Sequence, residues 1–192
     1  MKGYSQAGFS LLELLVALFV VVIITSLVTL AINSGGQDIT LDAKAKSLAD
    51  ISSFAMDEAQ MRAVDMGLLI QQVDQGGERL YRYGWRERSP RGWRRPEVDK
   101  DIFADKTFPA SVEVVLELED TRVQLLGAVD RALAGDGKPA EVAPQVVFYA
   151  SGEVTAGFIE LRQRDSGELL WRIEWDLLGR FTLLRKGEAA DE

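Results

Sequence analysis

From Leu14 to Gln37 the chain carries no charged side chain, a run of 24 residues that includes LLVALFVVVIITSLVTLAI. A helix rising ~1.5 Å per residue crosses the hydrocarbon core of a bilayer with roughly 20 predominantly apolar residues. Thr25, Ser26 and Thr29 do not spoil the run, because each hydroxyl can bond back to a helix carbonyl. A single membrane span is therefore expected at 9–32, and the rest of the chain is too polar for a second. A cleaved secretory signal fits poorly. The run exceeds the roughly 7–15 residues of a signal's apolar region. Ala31-Ile32-Asn33 is a poor cleavage site, and Glu13 stands at the front of the apolar run.

Two zeros narrow the chemistry. The 192 residues include no Cys and no His. That removes disulfides, thiol nucleophiles, the common zinc sites and Ser-His-Asp catalysis. Ser-Lys and carboxylate mechanisms survive the count, but no pattern sets paired carboxylates in an apolar cleft. The expectation is a non-enzyme without cofactor or metal. The net charge of −8 makes the chain a poor general binder of nucleic acid or of anionic lipid.

Glu13 needs an explanation. A carboxylate within a bilayer core costs about 2.5–3.5 kcal/mol at mid-membrane on insertion scales. A cation at the same depth in a neighbouring chain would offset that cost. A free α-amino group would serve, if the chain were cut just before the apolar run. The segment GFSLLELLVALFVVVII, beginning at Gly8, resembles the N-terminal signature of type IV pilins and type II secretion pseudopilins. The resemblance implies that 1–8 is a leader, removed by a prepilin peptidase between Gly8 and Phe9. It implies that Phe9 is then N-methylated, and that Glu13 aligns the subunit with its neighbours. Lys2 is the leader's one basic side chain, and no other occurs before Lys44. The positive-inside rule therefore orients the N-terminus to the cytoplasm and the C-terminal domain to the far side, and the resemblance implies that the anchor lies in the bacterial inner membrane with that domain in the periplasm.

Beyond the span, Leu41, Ala45, Leu48, Ser52, Ala55, Ala59, Arg62, Ala63 and Met66 keep helical spacing, while Asp42, Lys46, Asp50, Asp57 and Glu58 fall off that stripe. The exposed half of the helix is predicted over 33–66, capped by Gly67. From residue 68 the period becomes two. Tyr81, Tyr83 and Trp85 alternate with Arg82, Gly84, Arg86 and Arg88, and Val112–Leu118 alternates with glutamates. Further strands are expected at Leu68–Val73, Val123–Leu126, Gln145–Tyr149, Gly157–Gln163, Leu169–Asp176 and Arg180–Leu184, with a loop over 127–144 and a polar tail at 187–192. The predicted fold is α+β and pilin-like: a long N-terminal helix packed on an antiparallel β domain, 67–186, of seven to nine strands in two sheets.

Met56-Asp57-Glu58-Ala59-Gln60, Tyr81-Arg82-Tyr83, Gly92-Trp93 and Pro144-Gln145-Val146-Val147-Phe148 resemble the H-type minor pseudopilins of type II secretion. That likeness implies a place near the pseudopilus tip, linking the I, J and K subunits to the major G subunit and supporting export of folded proteins through the secretin. A minor type IV pilin that primes pilus assembly is the alternative, with DNA binding through Arg79–Arg95. This segment carries seven arginines against Glu87, a net of +6 in an acidic chain. Arg82, Arg86, Arg88, Arg91, Arg94 and Arg95 are the candidate contacts to a partner or polyanion, with nucleic acid the less favoured. The plain expectation is that these arginines face water or pair with the glutamates of 113–119.

Overall fold

The computed structural model describes residues 11–125 and 143–186, without the side chains of 27–39. The chain divides into two units, Met1–Thr40 and Leu41–Glu192. Helix α1 is Leu11–Arg62. Among the described residues no helix is long and apolar enough to cross a membrane. The expected span includes residues 9 and 10 and the side chains of 27–32, which lie outside the described set, as do the leader 1–8, most of the 127–144 loop and the tail 187–192.

In the second unit the helix buries Leu41, Ala45, Leu48, Ser52, Ala55 and Ala59, the stripe its spacing predicts. Its C-terminus is not at Gly67. Ala63 takes φ 51°, its N–H donates to the carbonyl of Gln60, and that of Val64 to the carbonyl of Ala59. These are the two bonds of a Schellman cap, closed here by an alanine in the left-handed region. Gly67 lies instead inside the first strand, where a Cβ would collide with the Pro144 ring.

Ten antiparallel strands follow among the described residues: β1 (Met66–Gln75), β2 (Glu78–Ser89), β3 (Gly92–Arg94), β4 (Lys106–Thr107), β5 (Val112–Leu118), β6 (Thr121–Val123), β7 (Val146–Phe148), β8 (Gly157–Gln163), β9 (Leu169–Trp175) and β10 (Phe181–Arg185). One sheet has the order β3-β2-β1-β7, with β4 also paired to β2; the other has the order β10-β9-β8-β5-β6. The strands beyond the expected number include β3 and β4, which are too short to alternate visibly. β6 begins two residues before the expected Val123, because Glu119 and Asp120 both take positive φ and close a two-residue turn. Gly76 and Gly77, both at positive φ, do the same between β1 and β2.

Register decides what is buried. Leu68 pairs with Trp85 and Ile70 with Tyr83, so the predicted aromatic row of β2 faces inward. Tyr83, Trp85, Phe108 and Phe148 are almost wholly buried in a single core cluster that includes helix and both sheets. Tyr83 and Phe108 rings lie 4.6 Å apart, and Phe103 bridges from Trp85 to Phe54 of the helix. Each large side chain so buried contributes about 1.5–3 kcal/mol relative to exposure.

Candidate functional site

Glu13 lies in the first turn of α1, where the helix dipole favours a carboxylate. It is exposed, and so are the apolar side chains around it, from Leu11 and Leu12 to Ile24. Thr25 and Ser26 donate to the carbonyls of Val21 and Val22, at 2.6 and 2.8 Å, as the sequence predicts for hydroxyls in an apolar helix. A helix surface apolar on every side is costly to leave in water; it suits lipid or other apolar helices. Gly8 and Phe9 lie outside the described residues.

The seven arginines of 79–95 divide by strand parity. β2 points Arg79, Tyr81, Tyr83, Trp85 and Glu87 to one side, and Arg82, Gly84, Arg86 and Arg88 to the other. β3 continues the pattern: Arg94 pairs with Glu87, and Trp93 pairs with Arg88. On the inward side Glu87 is 1% exposed and lies between two cations. Arg62 of the last helical turn donates to its Oε2 at 3.0 Å, and Arg94 Nη2 sits 2.7 Å from Oε1. Arg94 also holds Glu97 at 2.6 Å. Buried charge persists only when paired in this way, and the triad ties helix end, β2 and β3 together. Arg79 is among the charges that act on Tyr81, whose phenol is pushed up by burial and by Glu113 against the opposing pull of Arg164, Arg79 and Arg122.

On the outward side Asp105 sits against Gly84, where a Cβ would collide with its Oδ1. Arg86 reaches that oxygen at 3.1 Å and also donates to the Trp85 carbonyl, while Arg95 grips Oδ2. Arg88 lies over the Trp93 ring, 5.3 Å from its centroid. Arg82 stands opposite Gln71 on β1 and Thr107 on β4, and both it and Arg91 are exposed. The expected pairing with the glutamates of 113–119 is thus not what holds these arginines. Their carboxylate partners are Glu87, Glu97 and Asp105, because β4 and the segment before it cross the β2 edge, whereas β5 lies in the other sheet. Asp105 and Glu87 were not legible as partners. Glu87 did share the parity of Tyr81, Tyr83 and Trp85, which was the available signal that it is buried. Among the described residues no group of His, Cys, Asp and Glu could hold a metal ion.

Residues 4–31 match the family model of the prokaryotic N-terminal methylation motif. The chain is 27% identical to type II secretion system protein H of Aeromonas hydrophila, over 98% of each chain. The matches bear out the resemblance to the H-type minor pseudopilins of type II secretion. Two structures of the minor pseudopilin EpsH from the Vibrio cholerae type 2 secretion system share the fold of this chain. One superposes with a TM-score of 0.57 at 21% identity, covering 78% of this chain and 98% of that one. The other gives 0.56 at 20% identity, covering 77% and 95%. The pilin-like α+β fold with two sheets is the one its sequence predicts.

Proposed function

We propose that the pseudopilin is a non-catalytic subunit near the tip of the periplasmic pseudopilus, where it links the I, J and K subunits to the major G subunit. The leader 1–8 is cut by prepilin peptidase between Gly8 and Phe9, and Phe9 is methylated. The segment 9–32 anchors the chain once in the inner membrane, with the β domain in the periplasm. After assembly the same segment joins the helices at the filament axis, and the filament helps drive folded proteins outward through the secretin.

The observation that carries this reading is the methylation motif over 4–31, joined to the exposed apolar side chains of α1 from Leu11 to Ile24, among which Glu13 is the one charge. In that setting the Glu13 carboxylate meets the α-amino group of a neighbouring Phe9. The attraction strengthens as the local dielectric falls. Glu13→Leu removes the insertion cost, so the protein still enters the membrane and loses its leader. What it loses is recruitment. Cells carrying Glu13→Leu as their only copy should show reduced secretion and reduced co-purification with the other pseudopilins. Normal secretion with normal recovery of the complex would refute the alignment role.

A further inference from the structure

The outward side of β2 carries Arg82, Arg86 and Arg88, with Arg91 in the turn to β3 and Arg95 just beyond it, and the carboxylate Asp105 sits among them. Asp105 is committed to Arg86 and Arg95, and Arg88 is steadied on Trp93. Arg82, Arg88 and Arg91 form no ion pair among the described residues. At ~3.4 Å per residue, Arg82 and Arg88 stand about 20 Å apart along the strand, which is the span of a protein contact rather than of a small ligand. With net +6 over Arg79–Arg95 and −8 over the whole chain, the rest of the molecule is strongly acidic. An acidic partner is repelled elsewhere and attracted here, so this face sets the orientation in which such a partner docks.

We propose that this face binds a protein surface rich in carboxylates, and not nucleic acid. Tyr81, Tyr83 and Trp85, which interleave with the arginines in sequence, are buried in the core, so bases have no row of exposed rings on which to stack. Beside Asp105 opens a groove of about 530 Å³ lined by Arg95, Lys100, Pro96, Phe103 and Ala104, with Glu97. Its mixture of cations and apolar groups suits side chains better than a phosphodiester backbone. The proposal deepens the reading as an assembly subunit by giving one contact its chemistry.

The test uses the full-length protein in detergent, with a fluorescent Glu/Leu peptide and a duplex DNA of matched charge as probes. The triple variant Arg82→Glu/Arg88→Glu/Arg91→Glu is compared with Arg79→Glu, which lies on the other side of β2. Near-ultraviolet circular dichroism establishes that both fold as the parent does. The peptide should bind the parent and the Arg79→Glu variant alike, weaken roughly tenfold or more with the triple variant, and weaken as added salt shortens the Debye length. The proposal is overturned by equal peptide binding to parent and triple variant, or by no binding at all. It is overturned as well by DNA binding more tightly than the peptide in a way the triple variant abolishes. Self-association in sedimentation that the triple variant abolishes, without peptide binding, would assign the face to a second copy of this chain. Leader removal is untouched by these substitutions, so an uncleaved N-terminus would count against the pseudopilin assignment alone.

Discussion

Gly84→Ala should destabilise the β domain through a residue it never contacts in sequence. A Cβ at position 84 would take the place of the Asp105 carboxylate, which must then move off the sheet. Arg86 is 14% exposed and loses a charged hydrogen bond, worth about 1.5–3 kcal/mol. Arg95 is 71% exposed, and its pair adds little, about 0–1 kcal/mol. Alanine regains roughly 0.5–1 kcal/mol over glycine in a strand. The net cost is about 1–3 kcal/mol, a fall in Tm of roughly 2–4 °C for each kcal/mol in a domain of this size. The assay is a double-mutant cycle by thermal unfolding, with Asp105→Ser as the second change. In the Asp105→Ser background most of the Gly84→Ala cost should vanish, because the displaced group is already gone. An equal cost in both backgrounds would refute the argument that Gly84 exists to seat Asp105.

Tyr83 has its phenol pushed up to about 12 by burial, and its hydroxyl has no hydrogen-bond partner. An unfolded phenol releases its proton near pH 10, so stability is fully present below about pH 10 and is lost as pH rises toward 12, by an amount of order 2 kcal/mol. Tyr83→Phe should flatten that alkaline arm and leave the Tm at neutral pH unchanged or higher; a large loss at neutral pH would reveal a partner for the hydroxyl. Ala63→Gly should stabilise by about 1 kcal/mol, since position 63 is left-handed, and a fall in Tm would contradict the cap assignment. Gly67→Ala should cost about 1–3 kcal/mol by overpacking Pro144, seen as a lower midpoint in urea. Gly8→Val should leave the leader uncleaved, visible as a slower band on gel; normal processing would count against a requirement for an unbranched residue there.

The sequence carried the elements that local physics determines. The helical stripe from Leu41 to Ala59 and the inward row of Tyr81, Tyr83 and Trp85 follow from periods of about 3.6 and 2, and both faces are buried as read. What depends on distant partners was not legible. β4 consists of two residues whose only reason to be a strand is their pairing with Arg82 and Tyr83. The helix ends at Arg62 because Ala63 accepts a conformation usually left to glycine, so Gly67, the obvious cap, was the wrong one. The arginines were legible as a charge excess. Their division into a paired inward set and an outward face required the register of β2 with β3 and β4.

The N-terminus of the protein taken from its own membrane is the most direct measurement. Mass spectrometry of the N-terminal peptide should give a chain that begins at Phe9 and carries one added methyl group. A chain that begins at Met1, or one cut near Asn33 and released from the membrane, would contradict the proposed function.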